Sequence, residues 1–268
     1  MKLSLQLGFL AIVNIGVSFA FQWYVFTQLG AGIESDAFFA SLTIPQFLLV
    51  IISSSLTHVL VPLLSKGDKN YIEHTTWTFI VLIGSIFTLI SILFYVTSHI
   101  WIPFILPGFD EPHQQLTVTL TRIQLVGIIF SAINAVQLAG FHAKHQFFRA
   151  EVIQLLTGIG SLLLLMWVLP RFGVVGIAYV GVLRLILQTV WLLPNAGRFQ
   201  SPNFKSSSVK QTWQQIKPLL IGNSYYKTDP IVDRFLLSNT SDGSLSLYYL
   251  AQQLYGTVSH VIAKAIVI

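Results

Sequence analysis

Eight long apolar blocks, separated by short polar turns, leave this chain little freedom in what it folds into. The blocks run roughly over 8–29, 36–64, 76–97, 118–141, 150–169, 173–193, 218–238 and 246–268. Each approaches or exceeds the roughly 20 residues that a helix needs to cross a bilayer. Hydrophobic residues make up 54% of the chain and charged ones 9%, far below the roughly 25% charge of soluble domains. Within hydrocarbon every backbone amide must be paired internally, which leaves only helices and closed barrels. Barrel strands alternate apolar and polar residues over about 10 positions, whereas these blocks are continuously apolar. The expected fold is all-α, a polytopic transmembrane bundle of about eight spans.

Basic residues set the expected orientation. With the amino terminus in the cytoplasm, the cytoplasmic segments hold Lys2, Lys66, Lys69, Lys144, Arg149, Arg198, Lys205, Lys210 and Lys217, and the opposite loops hold only Arg171. Basic residues resist translocation, so this asymmetry fixes the direction of insertion. It also accounts for the formal charge of +5 without invoking nucleic acid. A cleavable leader ending at Ser18-Phe19-Ala20 is a competing reading of the start, but the apolar run continues through Trp23 to Phe26. The polar stretch from Asn195 to Lys217 reads as a linker. It divides the chain into a first lobe of six spans (1–200), a cytoplasmic linker (201–217) and the opening two spans of a second lobe (218–268).

A nine-residue pattern joins the two halves. Gly32-Ile33-Glu34-Ser35-Asp36-Ala37-Phe38-Phe39-Ala40 has Gly, Ser three on, an aromatic residue six on, an apolar one seven on and Ala eight on. Gly243-Ser244-Leu245-Ser246-Leu247-Tyr248-Tyr249-Leu250-Ala251 keeps every offset. Six intervening spans put both copies on the same side of the membrane, as in transporters built from parallel repeats.

Ionisable residues inside apolar blocks are expensive and mark cavities or paired sites. The densest set is Lys227-Thr228-Asp229-Pro230-Ile231-Val232-Asp233-Arg234. On one helix, Lys227 and Arg234 share a face and Asp229 and Asp233 share another. Pro230 removes a backbone donor and kinks the span. Structural pairing near the outer interface is the plainer reading for Asp233 and Arg234; a cavity-facing role is favoured for Lys227 and Asp229. Arg184, in the sixth block, could pair with Asp229 or Asp233 or meet an anionic substrate. Arg122 and Lys264 are expected to snorkel to the interfaces, Asp36 to cap a helix amino terminus, and Gly173, Gly176 and Gly181 to allow close helix packing.

Enzymatic signatures are absent: no phosphate-cradling glycine loop with Lys, no His-Glu-x-x-His, no dinucleotide fingerprint and no nucleophile elbow. The chain has no cysteine, which excludes disulfides and thiolate sites. His142 and His145 flank Lys144 but read as solvated loop residues rather than metal ligands. The chain is therefore expected to be no enzyme and to hold no cofactor or metal, apart from an unidentified coupling cation or proton.

Gly30-Ala31-Gly32 with Ser35-Asp36-Ala37-Phe38-Phe39, then Ile44-Pro45 and Val61-Pro62, resembles the opening two helices of the MurJ/MviN lipid flippases. Pro107-Gly108-Phe109, Leu193-Pro194, Val232-Asp233-Arg234 and then Gly243, Ser246, Tyr249 and Ala251 keep that family's order along the whole chain. The motif residues are Gly30, Gly32, Ser35, Asp36 and Pro45. The resemblance implies a two-lobed bundle of the multidrug/oligosaccharidyl-lipid/polysaccharide exporter superfamily that carries a polyprenyl-diphosphate-linked saccharide across the bacterial inner membrane by alternating access. It also implies cations on the first, second and eighth helices, at positions that here are Ile15, Phe21, Leu49 and Gln253. The chain further departs in ending at Ile268, with two spans of the second lobe in place.

These features lead to an expectation of a flippase for a lipid II-like peptidoglycan precursor, rocking about a site lined by spans one, two, seven and eight. Arg184, Lys227 and Arg234 would attract the diphosphate, and Asp229 and Asp233 would balance charge or carry the coupling ion. Its partners would be the lipid bilayer, the lipid-linked saccharide and, functionally, cell-wall glycosyltransferases. The alternatives are an exporter of O-antigen or exopolysaccharide intermediates, a cation-coupled drug antiporter, and a truncated, non-transporting remnant.

Overall fold

The computed structural model describes residues 2–226 and 228–267, and the side-chain surroundings of 6–51, 55–224 and 228–259. Helices account for nearly all of it, and the described residues contain no strand. Helix α1 (Lys2–Leu29) ends at Gly30, whose φ of 72° lets the chain turn out of the helix. Helices α2 (Ile33–Ser41) and α3 (Thr43–Leu64) form one interrupted crossing, broken at Leu42. Pro45 explains the break, because it has no N–H to give the Ser41 carbonyl one turn back. Helices α4 (Lys69–Ile105) and α5 (Glu111–Ala143) are each capped by an aspartate. Asp68 accepts from Tyr71 N at 2.8 Å and Asp110 from His113 N at 3.2 Å.

Helix α6 (Phe147–Leu192) is a hairpin of two spans. Gly173 interrupts it with φ 59° and ψ −152°, a region essentially restricted to glycine, and the arms fold back on each other. A Cβ built at Gly158 would lie 3.5 Å from Arg184 Nη2. Gly173 thus makes a reversal rather than a packing surface, and Gly181, expected to pack closely, has no atom within 4 Å of a would-be Cβ. Among the described residues, five helical stretches are long and apolar enough to cross a membrane: Gln6–Leu29, Ile33–Leu64, Lys69–Ile105, Glu111–Ala143 and Phe147–Ala196. Since the last contains both arms of the hairpin, these five stretches hold the first six expected spans.

The seventh block departs from a single span. Helix α7 (Ser207–Tyr226) begins inside the polar stretch that reads as linker, and α8 (Asp229–Leu237) is only nine residues long. Pro230 sits in the first turn of α8, where its missing N–H costs nothing. The break at Thr228 therefore replaces the expected kink. Helix α9 (Ser244–Val267) completes the chain.

Two large buried cores and a small one around Phe141, Ala150 and Leu192 hold the described residues together. One of the large cores joins α3, α4, α5 and α7 through Leu56, Leu60, Phe79, Phe87, Val136 and Ile216. The other joins α1, α2, α5, α6 and α9 through Val25, Phe39, Leu120, Leu165, Ile177 and Leu245. Hydrogen bonds between helices supplement this packing, as membrane interiors require. Gln124 Nε2 donates to Ser41 Oγ at 2.6 Å, Ser91 Oγ to the Leu125 carbonyl at 2.7 Å and Thr189 Oγ1 to Asn134 Oδ1 at 2.8 Å. Arg122, expected to snorkel, is half-buried: its Nε donates to Ser98 Oγ at 2.9 Å and its guanidinium lies 5.2 Å from the ring centre of the exposed Tyr95. At the loop end, Lys144 donates to the Asn195 carbonyl at 2.6 Å and lies 3.8 Å from Glu73. Burial pushes its ammonium below the usual lysine range, against the pull of Glu73.

Candidate functional site

The last three helices meet the rest of the bundle along a seam. Helix α9 packs on α1 and α2, α7 on α3, and α8 on α3 and α4. At one end of this seam the two copies of the repeated motif touch. Ser35 Oγ donates to Ser246 Oγ at 3.2 Å, and these residues are 211 apart, the same offset that separates Gly32 from Gly243. Equivalent positions of the two copies therefore meet each other, as they do about a local two-fold axis. Each serine also closes its own helix start: Ser35 Oγ accepts from Gly32 N at 3.0 Å, and Ser246 Oγ donates to the Gly243 carbonyl at 2.9 Å.

Asp36 makes the contact asymmetric. Its carboxylate, 2% exposed, accepts from Gly243 N and from Ser246 N, both at 2.7 Å. It is a cap, as its place in the sequence suggests, but for the amino terminus of α9 rather than of its own helix. The equivalent position in the second copy is Leu247, which can cap nothing. Gly243 has φ 87°, and a Cβ there would press on Ala31 at 2.8 Å, so glycine is needed for both conformation and close approach.

Immediately below this latch lies Arg234. It is 3% exposed, its guanidinium is 5.3 Å from the centre of the Tyr249 ring, and its Nε and Nη1 have no hydrogen-bond partner. Tyr249 stacks on Phe39 with ring centres 4.4 Å apart, and its hydroxyl accepts from Gln46 Nε2 at 3.2 Å and Gln22 Nε2 at 3.5 Å. Gln22 Oε1 is likewise buried without a partner. Helices α1, α3, α8 and α9 thus bring together a cation and the Gln22 amide oxygen, both with unfilled hydrogen-bonding capacity, beside the Gln46 amide. Asp233 faces the neighbouring turn of α9, accepting from Tyr248 Oη at 2.8 Å and Gln252 Nε2 at 3.4 Å. At the far end of the seam a cavity of about 610 Å³ opens between α3 and α7, lined by His58, Lys66, Tyr71, Gln211 and Gln215 among others.

The remaining expected residues do not join this cluster. Asp229 is exposed at the start of α8, one turn from Asp233. Lys227 lies outside the described residues, so the cationic stripe it would form with Arg234 has one described member. Arg184 sits between the arms of α6 and pairs with neither Asp229 nor Asp233; it faces an apolar cavity of about 220 Å³ lined by Leu156, Ser161, Leu187 and Trp191. Gly30 and Gly32 flank the turn before α2, and Pro45 is buried in the first turn of α3. Among the described residues no group of three or more metal-ligating side chains is gathered. Gln22 and Gln46 escape a search for charges in spans, although a glutamine in an apolar block is itself a weak form of that signal.

The family model for the lipid II flippase MurJ matches residues 25–268. The chain belongs to the MurJ family of lipid II flippases. A relative described as a probable lipid II flippase MurJ, from Buchnera aphidicola subsp. Schizaphis graminum (strain Sg), is 22% identical over 271 aligned residues, which cover 95% of this chain and 52% of the relative. The chain therefore spans about half the length of the curated relative that it matches. Among solved structures, the lipid II flippase MurJ in its inward closed conformation superposes with a TM-score of 0.75 at 18% identity, over 94% of this chain and 54% of the other. A MOP-superfamily transporter from Pyrococcus furiosus gives 0.75 at 15% identity over 97% and 61%. An inward-facing multidrug resistance MATE transporter gives 0.70 at 14% identity over 95% and 60%. At these identities the structural likeness establishes the fold, that of multi-pass membrane transporters.

Proposed function

We propose that this chain supplies the first lobe and the opening of the second lobe of a flippase that carries a polyprenyl-diphosphate-linked saccharide across the bacterial inner membrane. Its amino terminus and linker would lie in the cytoplasm, where the distribution of lysine and arginine favours them. The observation that carries the reading is the latch at the motif end of the seam, with a buried cation beneath it and a cavity at the opposite end. A seam closed at one end and open at the other suits alternating access, in which the two lobes rock about a site between them.

In this reading the saccharide-diphosphate head enters from the Lys66 end and rises to Arg234, whose free N–H groups take phosphate oxygens. Gln22 and Gln46 exchange their bond to Tyr249 for the head group. Lys227 adds a second cation, while Arg184, shut between the arms of α6, serves the lobe rather than the cargo. Asp229 and Asp233 balance charge or carry the coupling cation or proton. The family's cationic positions are Ile15, Phe21, Leu49 and Gln253 here, which favours a second reading: export of a different lipid-linked oligosaccharide, for O-antigen or exopolysaccharide.

The full-length protein carrying Ser35→Cys and Ser246→Cys, in a sequence region without native cysteine, tests the mechanism. Reconstituted in liposomes, the reduced protein should translocate a labelled polyprenyl-diphosphate saccharide, and oxidation should stop it until a reductant is added. Undiminished transport with the disulfide formed sinks the alternating-access reading. Offering O-antigen and peptidoglycan precursors in parallel separates the two cargoes.

A further inference from the structure

We propose that the outward face of α7, with the connection that leads into it, is a docking surface for the head groups of anionic phospholipids. Between Glu151 and Asp229 the chain contains no carboxylate residue but carries Arg171, Arg184, Arg198, Lys205, Lys210, Lys217 and Lys227. Four of these, Arg198, Lys205, Lys210 and Lys217, fall in the stretch from the end of α6 through the first half of α7, and all four are exposed. Beside them stand three exposed aromatics: Phe199 at 67%, Phe204 at 49% and Trp213 at 59%.

The helix is oriented by what its other side does. Ser208, Thr212 and Ile216 are buried; Ile216 packs in the core with α3, and Ser208 Oγ shares a hydrogen bond of 2.9 Å with Tyr71 Oη. At 100° per residue, Lys210, Trp213, Gln214, Lys217 and Ile221 then project from the opposite side. The preceding connection is pinned as well. Phe199 meets Trp77 edge-on with ring centres 5.1 Å apart, and Asn203 N donates to Thr78 Oγ1 at 3.2 Å.

Lysines flanking an exposed tryptophan, followed one turn later by exposed Ile221, describe a helix that starts in the head-group layer and descends into hydrocarbon. Tryptophan favours that boundary, lysine stems reach up to phosphate, and juxtamembrane cations attract anionic lipid. Asp68 and Glu73, at the start of α4, lie beside this end of α7, but none of Arg198, Lys205, Lys210 and Lys217 is in an ion pair among the described residues, so lipid phosphates are left as their counter-charges. Because α7 closes the seam against α3, lipid bound here steadies one wall of the cavity beside His58 and Lys66.

The full-length protein with Gln214→Cys, labelled with an environment-sensitive fluorophore, reads the contact directly. In vesicles of phosphatidylcholine containing phosphatidylglycerol, the label should emit further to the blue than in phosphatidylcholine alone, and brominated phosphatidylglycerol should quench it. Adding Lys205→Gln, Lys210→Gln and Lys217→Gln should weaken the enrichment of phosphatidylglycerol by about fivefold per lysine, while the corresponding arginine variants should retain it. Emission that is the same in both vesicles, or unchanged by the glutamine variants, overturns the proposal, including the case in which another part of the protein covers this face. The readout is independent of transport and stands or falls apart from the flippase reading.

Discussion

A single carboxylate makes the principal hydrogen bonds across the motif end of the seam. Asp36 accepts two backbone N–H groups at 2.7 Å while almost fully buried, and hydrogen bonds to a charged acceptor contribute about 1.5–3 kcal/mol each. Asp36→Ala should therefore lower stability by about 3 kcal/mol or more, visible as a lower melting temperature in detergent. Asp36→Asn keeps one acceptor oxygen but sets an NH2 against the other main-chain N–H, so it should lose at least one of the two bonds. Arg234 behaves in the opposite way. Its burial with two unpartnered nitrogens costs folding free energy, so Arg234→Met should leave the melting temperature unchanged or raise it, yet abolish binding of a polyprenyl-diphosphate saccharide. A large loss of stability in Arg234→Met would mark a structural residue instead of a ligand-binding one. The sequence points to Asp36 and Arg234 because charge in an apolar block is costly wherever it lies. It cannot tell that Asp36 caps a helix 207 positions away, since that depends on which helices meet.

Helix interruptions decide where these side chains stand. Without Pro45 the Ser41 carbonyl would find its donor, α2 and α3 would run straight, and the Asp36 turn would move relative to Gln46. Gly173 is the sharper case, because its φ and ψ are closed to any residue with a Cβ. Gly173→Ala is expected to cost about 1–3 kcal/mol, measurable as a lower melting temperature, and to loosen the two arms of α6. Continuous apolar runs such as α4 and α5 are legible from hydropathy because one property, transfer to hydrocarbon, fixes them. The seventh block is not. Its hydropathy spans the break at Thr228, which divides it into α7 and α8, both packed on α3. Likewise, hydropathy divides α6 into two blocks just before Gly173, but the pairing of its arms places Arg184 away from the aspartates, one of the two kinds of partner left open for it.

For the whole molecule, the repeated motif proved to be a contact as well as a likeness: copies 211 residues apart meet through Ser35 and Ser246. This fixes both copies at the same end of the bundle. Single cysteines at Asp242 and at Ser206, in a chain region with none of its own, should react with an impermeant thiol reagent from opposite sides of intact cells, Asp242 from outside. Labelling of both from one side would contradict the assigned topology. The way the latch is built has a further effect on how this protein can vary. On the α9 side the donors are main-chain N–H groups, which every residue except proline supplies. Substitutions that leave Gly243 and the helix start intact can therefore accumulate at Ser244 and Leu247 without touching those two bonds, whereas on the α2 side only the one carboxylate supplies them. In a library selected for survival, diversity should be wide on the α9 side and nearly absent at Asp36, so that one half of the contact drifts freely and the other does not.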